Sequence, residues 1–251
     1  MRNTVEQIEK KGYNHGIRVK NGSGKNKRRS NMKKLPILGF YGYWVILTYF
    51  SVIAAAAGIY NALNGNIKIA VVCLMVSGIC DMFDGSVARM AERTDQEKGF
   101  GIQIDSLADI IGFGILPAVI GYAIFTGYSV SGYGYFGAAR IVTIISVYVL
   151  AALIRLAYYN VTEEELQSKD EKRKYYEGLP VTSVALIVPM VYSACMYWNF
   201  PLWRVYNKLL LLLSLAFVMK VKIPKLKLRY MIGLCPVGLS IVIYILLLKG
   251  F

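Results

Sequence analysis

Long apolar runs separated by short charged breaks dominate this chain and leave it few ways to fold. Crossing the hydrocarbon core of a bilayer takes ~20 mostly apolar residues as a helix. In lipid the backbone must satisfy its own hydrogen bonds, which leaves helices or closed barrels. Runs of this length occur over 37–61, 66–89, 102–126, 136–158, 180–198, 203–219 and 230–249. They are too long and too uniformly apolar for barrel strands, which alternate. The expectation is an all-α, polytopic transmembrane helical bundle of about seven spans, with six to eight compatible with the pattern. A hydrophobic share of 56% agrees, since soluble domains run nearer half and break their apolar runs more often.

The breaks carry turn and interface chemistry. Asn64-Gly65-Asn66 is a turn signal, Thr126 to Tyr135 is rich in Gly, Ser and Tyr, and Trp198 to Trp203 combines a turn with interfacial aromatics. A net charge of +14 could indicate a nucleic-acid binder, but the Lys and Arg residues are distributed between apolar runs, so no nucleic-acid partner is expected. They fall in the N-terminal segment, the 90–101 loop, the 159–178 loop and the Lys220 to Lys227 segment. By the positive-inside rule these lie on the cytoplasmic side of a multi-pass cell-membrane protein. The basic cluster Lys25, Lys27, Arg28, Arg29, Lys33 and Lys34 precedes the first span. It reads as a juxtamembrane segment attracted to anionic membrane lipids, without the short apolar core and cleavage site of a signal peptide. Cys73, Cys80, Cys195 and Cys235 sit in separate apolar segments with no metal or disulfide spacing and read as packing residues, and His15 as a solvated side chain.

Four carboxylates break the apolar pattern. Asp81-Met82-Phe83-Asp84-Gly85-Ser86-Val87-Ala88-Arg89 closes the second span, and Gly101-Ile102-Gln103-Ile104-Asp105-Ser106-Leu107-Ala108-Asp109 opens the third. Charges at membrane depth are costly unless paired, hydrated or bound to a cation. Residues three or four apart share a helix face, so Asp81, Asp84, Gly85 and Ala88 form one stripe and Gly101, Asp105 and Asp109 another. Facing each other, the stripes make an acidic pocket that a divalent ion would neutralise. Oxygen ligands without His or Cys favour a hard cation such as Mg²⁺, Mn²⁺ or Ca²⁺ over zinc. Gly85, Ala88 and Gly101 leave room for a ligand or for close helix packing.

The pattern D-x-x-D-G-x-x-A-R followed by G-x-x-x-D-x-x-x-D, here Asp81, Asp84, Gly85, Ala88, Arg89, Gly101, Asp105 and Asp109, resembles the signature of the CDP-alcohol phosphatidyltransferase family. Further along, Arg155-Leu156-Ala157-Tyr158-Tyr159-Asn160 and Gly178-Leu179-Pro180 resemble elements of its bacterial phosphatidylserine synthases, with Tyr158 where that subgroup has a second arginine. The resemblance covers residues from about 40 to 195 and leaves the basic tail and the final two spans outside it. A division follows into a basic segment over 1–36, a catalytic membrane core over 37–200 and C-terminal helices over 201–251, which either support a homodimer or seal the bundle.

The resemblance implies transfer of phosphatidyl from CDP-diacylglycerol to an acceptor hydroxyl with release of CMP, assisted by Mg²⁺ or Mn²⁺. It implies metal ligation by Asp81, Asp84, Asp105 and Asp109, with Asp109 also the catalytic base, and places Gly85, Ala88, Arg89 and Gly101 around the CDP moiety. It favours L-serine as acceptor: Arg155 would meet the carboxylate, and Asn160, Thr182 or Ser183 the amine. Glycerol 3-phosphate, inositol and inositol phosphate are the alternatives within the family, and Arg89 reads equally as a topology charge. An ion-coupled transporter would instead place its acidic residues near mid-membrane beside broken helices.

Overall fold

The structure is a computed structural model and describes residues 39–128, 134–168, 175–224 and 228–247. The basic segment over 1–36, with His15, and position 170 of the predicted 159–178 loop lie outside the described residues.

A short 3-10 turn at Tyr43–Val45 leads into α1 (Ile46–Leu63), followed by α2 (Ile67–Met90) and α3 (Asp95–Asp109). A π-helical segment, Ile110–Ile115, carries α3 without a break into α4 (Leu116–Tyr128). Next come α5 (Gly134–Ser168), strand β1 (Tyr175–Glu177), a 3-10 turn at Val181–Ser183, α6 (Val184–Tyr197), α7 (Leu202–Val218), strand β2 (Lys222–Pro224) and α8 (Leu228–Leu247). With α3 and α4 counted as one rod, the described residues form seven rods at the seven expected spans. Three helical stretches, Tyr43–Leu63, Asp95–Gly127 and Gly137–Glu163, are long and apolar enough to cross a membrane, and Val181–Tyr197 is a shorter apolar helix. Phe50, Ile53, Leu150 and Leu212 are among many large apolar side chains exposed on the outside of the bundle. Soluble monomers rarely expose apolar surface on this scale. The protein is an all-α membrane helical bundle.

Local chemistry sets the turns. At the end of α1 the Gly65 N–H donates to the Ala62 carbonyl (3.0 Å) and the Asn66 N–H to the Asn61 carbonyl (2.8 Å). This is a Schellman stop, with Gly65 at φ +79°, a conformation glycine adopts at little cost. It folds α2 back along α1, and Ala55, Ala62, Ala70 and Val71 are fully buried in the core that results. The α2–α3 link is short because Thr94 starts α3 with a capping box. Its hydroxyl accepts from the Glu97 N–H, and the Glu97 carboxylate accepts from the Thr94 N–H at 2.7 Å.

The middle of the bundle solves a backbone problem created by Pro117. Proline has no N–H to donate to the Phe113 carbonyl four residues earlier. The buried Tyr148 hydroxyl on α5 donates to that carbonyl at 2.6 Å, and the Tyr206 hydroxyl on α7 donates to the Pro117 carbonyl at 3.0 Å. Two tyrosines thereby tie α5 and α7 to the rod that carries Asp105 and Asp109.

The loop expected over 90–101 shrinks to 91–94, because the Thr94 capping box starts α3 at Asp95, and two further features depart from the sequence expectation. The loop expected from 159 begins as helix, because α5 continues to Ser168. Thr162-Glu163-Glu164-Glu165-Leu166-Gln167 is polar, but Glu, Leu and Gln are good helix formers and helices do not end where lipid does. At ~1.5 Å per residue α5 is about 52 Å long, more than a bilayer core requires. The second is a two-stranded antiparallel ribbon, with Tyr175 opposite Pro224 and Glu177 opposite Lys222. Strands of three residues carry no readable alternation. The ribbon places the α5–α6 link and the α7–α8 link at the same end of the bundle.

Candidate active site

The last turns of α2 and the body of α3 bring the two carboxylate stripes face to face. Carboxylate oxygens of Asp81, Asp84 and Asp105 lie within 4.8 Å of one another. Asp109 sits against Asp81 and Asp105 against Asp84, so all four aspartates converge. Asp84 is buried, and the Thr48 hydroxyl on α1 donates to its Oδ2 at 3.1 Å. No ion pair to the four aspartates occurs among the described residues. Several like charges at this separation in a poorly hydrated setting are strongly unfavourable. The donor set is all oxygen and matches a hard divalent cation in chemistry and spacing. Asp81, Asp84 and Asp105 are the residues that could hold it, with Asp109 at their edge.

Beside the cluster opens a cavity of about 210 Å³. Its wall contains Gly85, Ala88, Arg89 and Gly101 together with Asp84 and Asp105. The small residues do what their size allows: a methyl group at Gly85 would have nothing nearer than Arg89 Nη1 at 3.7 Å, leaving the space beside Asp84 open. Gly101 is a closer fit, since a methyl group there would lie 3.1 Å from both Arg93 Nη1 and Trp44 Cζ3. Arg89 is exposed, and its Nη2 donates to Ser86 Oγ at 3.1 Å.

Thr48, Trp44 and Arg93 were not singled out in the sequence. Thr48 is one hydroxyl on an apolar helix, and nothing in α1 alone shows that it faces an aspartate 36 positions away. Trp44 and Arg93 look like an interfacial aromatic and a loop charge, yet Trp44 is 6% exposed and both line the cavity. The one local signal was Gly101, whose missing side chain permits the close approach of Trp44 and Arg93.

The residues expected to meet the acceptor do not line this cavity but lie on segments packed against α3 and the π-helical segment. Asn160 Nδ2 donates to Ser106 Oγ at 2.7 Å, tying α5 to α3 one residue from Asp105. Arg155 is buried, with its guanidinium 5.3 Å from the Tyr159 ring and its Nε donating to the Leu179 carbonyl at 3.2 Å. Thr182 and Ser183 lie on the 3-10 turn that packs against the π-helical segment beginning just after Asp109. The Ser183 hydroxyl donates within that turn, to the Pro180 carbonyl at 2.6 Å. Lys220 Nζ stands 5.8 Å over the ring of Tyr158, beside the same region.

Comparison with known proteins adds the family. The CDP-alcohol phosphatidyltransferase model matches residues 45–247. The chain belongs to the CDP-alcohol phosphatidyltransferase family. The match takes in α7 and α8, which corrects the sequence expectation that the final two spans lie outside the family resemblance. The chain is similar to the CDP-diacylglycerol–serine O-phosphatidyltransferase of Saccharomyces cerevisiae, at 41% identity over 119 residues, 46% of this chain and 38% of that protein. It is 30% identical to the protein of the same description from Helicobacter pylori, over 61% of this chain and 58% of that one. An archaetidylserine synthase of Methanothermobacter thermautotrophicus is 26% identical over 66% of this chain and 64% of its own length. The matched region thus spans between about two fifths and two thirds of these relatives. The structure gathers Asp81, Asp84, Gly85, Ala88, Arg89, Gly101, Asp105 and Asp109 around one cavity and one acidic cluster.

Proposed function

We propose that this protein transfers the phosphatidyl group of CDP-diacylglycerol to the hydroxyl of L-serine, forming phosphatidylserine and CMP. The observation that carries the proposal is the convergence of four aspartates from two helices, with Asp84 and Asp105 in the wall of a cavity that is also lined by Gly85, Ala88, Arg89 and Gly101. In this reading Asp81, Asp84 and Asp105 hold Mg²⁺ or Mn²⁺, and Asp109 completes the site. A bound divalent cation supplies charge neutralisation at the donor diphosphate.

The chain's own groups do the rest. Gly85, Ala88 and Gly101 leave the room the CDP moiety fills, and Arg89 offers it a cation at the rim. Asp109 accepts the proton of the serine hydroxyl, which raises the nucleophilicity of that oxygen. The serine oxygen forms a bond to the phosphorus that bears diacylglycerol as the bond from that phosphorus to the CMP oxygen breaks. CMP leaves with the bonding pair, and Asp109 passes its proton to solvent. Holding both reactants beside one cluster removes much of the entropic cost of bringing them together.

Serine as acceptor is supported by the relatives described as serine phosphatidyltransferases and by the α5–α6 region. Arg155 offers a cation for the carboxylate there, and Asn160, Thr182 and Ser183 offer neutral polar groups for the amine, a set that suits a small zwitterion. The test supplies purified protein with CDP-diacylglycerol, Mg²⁺ or Mn²⁺, and serine, glycerol 3-phosphate, inositol or inositol phosphate in separate reactions. CMP release with serine is expected. Release with another acceptor and none with serine would overturn the acceptor and keep the family chemistry.

The active site is placed on the cytoplasmic face, because the links at its end of the bundle are the basic ones. Gln96, exposed in the first turn of α3, provides the check. A Gln96→Cys protein whose own cysteines are replaced should resist an impermeant thiol reagent added to intact cells and react after permeabilisation.

A further inference from the structure

Arg93 is the cavity residue whose chemistry is left unfinished. It lies on the link between α2 and α3, four residues past the signature arginine, and is not part of the signature. Its guanidinium carbon stands 5.3 Å from the centre of the Trp44 ring. Its Nε is shielded from solvent and has no hydrogen-bond partner, and no ion pair to Arg93 occurs among the described residues. Buried polar groups are nearly always hydrogen-bonded, so an orphaned guanidinium N–H in the wall of a cavity points to a partner that arrives from outside the protein.

The surroundings define that partner. Trp44 is buried, packs edge-to-face on Phe100 with ring centroids 6.5 Å apart, and makes a firm platform for the guanidinium. Gly101 allows the arrangement, because any side chain there would press on both Arg93 and Trp44. The Thr94 capping box fixes the backbone one residue after Arg93. The cation is thus held from three directions with one donor left over. A turn of the guanidinium on the Trp44 ring that brings Nε and one terminal nitrogen to the cavity makes a fork that fits two oxygens of one phosphate. Asp84 and Asp105 share the wall, so a lone anion would be repelled. A diphosphate that extends from the acidic cluster, neutralised there by the divalent cation, toward Arg93 satisfies both ends.

We infer that Arg93, seated on Trp44, is a phosphate-binding residue for the diphosphate of the nucleotide-linked donor. The inference rests on the proposed transferase reading and adds a donor contact outside the eight signature positions. It separates Arg93 from the acceptor side, where Arg155 stands.

The experiment compares the native protein with Arg93→Gln and Arg93→Lys in detergent. It measures KM for CDP-diacylglycerol and for serine, and inhibition by cytidine, CMP and CDP. Arg93→Gln is expected to raise the donor KM about tenfold or more and to weaken inhibition by CDP to a similar degree. Its serine KM and inhibition by cytidine should stay within about twofold of native, which also shows that the variant is folded. Arg93→Lys keeps the charge without the fork and should fall between the two. A donor KM unchanged in Arg93→Gln overturns the inference while leaving the transferase reading intact. So does a change confined to the serine KM, or equal losses for cytidine and CDP. A native protein that releases no CMP with any acceptor and binds no CDP overturns both.

Discussion

The two sides of the site are built on different principles. The aspartate side comes from one nearly continuous stretch, Trp44 to Asp109, in which adjacent helices are folded together by a Schellman stop and a capping box. The α5–α6 side is assembled from distant segments held largely through backbone: Arg155 on the Leu179 carbonyl, the Leu179 N–H on the Ala216 carbonyl, and the Gly178 N–H on the Val221 carbonyl. On the first side the side chains are the chemistry and local geometry aims them. On the second, hydrogen bonds to backbone carbonyls fix the chain path between α5 and α6.

The contrast is broken most severely by removing a carboxylate. Asp81→Ala, Asp84→Ala, Asp105→Ala and Asp109→Ala should each lower CMP release about 10³-fold or more, a loss in the range for electrostatic and acid–base groups. The purified proteins should remain monodisperse. Near-native turnover by Asp105→Ala would remove the acidic cluster from the mechanism. Chelation should abolish turnover in the native protein, and Mg²⁺ or Mn²⁺ should restore it.

On the other side, Arg155→Met should raise the serine KM about tenfold and lower stability in thermal unfolding by about 1–3 kcal/mol, because the Leu179 carbonyl loses a charged donor. Inhibition by CDP should not move. Gly178→Ala sharpens the comparison further. Gly178 has φ +79°, and a methyl group there would come 2.8 Å from the Phe217 carbonyl oxygen, so a destabilisation of about 1–3 kcal/mol is expected. The serine KM should rise a few-fold and the donor KM should hold. Equal shifts in both would show that the sides are not separable. Asn160→Ala, which loses the 2.7 Å bond to Ser106, should cost about 1 kcal/mol and a few-fold in activity. Asp95→Ala should do least: its side chain is fully exposed and pairs only with Lys98 at 3.2 Å, so stability should stay within about 0.5 kcal/mol and activity at the native level.

The same contrast explains what the sequence made legible. Helical spacing sufficed to put Asp81 and Asp84 on one face and Asp105 and Asp109 on another, because that geometry is intrinsic to the helix. The span count was legible for the related reason that lipid imposes a length on apolar runs. Thr48 and Trp44 were not legible, since their roles depend on how α1 rotates against α2 and α3, which side-chain packing decides. The ribbon was silent because its strands lie 47 residues apart, as the pairing of Tyr175 with Pro224 and Glu177 with Lys222 brackets, and each is too short to alternate. Arg93 was hidden by its setting. A basic residue in a short link ordinarily marks topology, and only the unpartnered Nε reveals another task.

The ribbon also sets an order of events. During synthesis the two helices that carry Asp81, Asp84, Asp105 and Asp109 have been made once Asp109 has, while the contacts from α5 and α7 that tie down the second of them come later. The carbonyls that fix Gly178 and Leu179 belong to Ala216 and Val221, and the strand that pairs with Tyr175–Glu177 ends at Pro224. A nascent chain therefore holds all four aspartates well before its α5–α6 link is braced. The seventh rod's predecessor acts as the latch: until α7 enters the bilayer and turns back, one wall of the site stands unfinished.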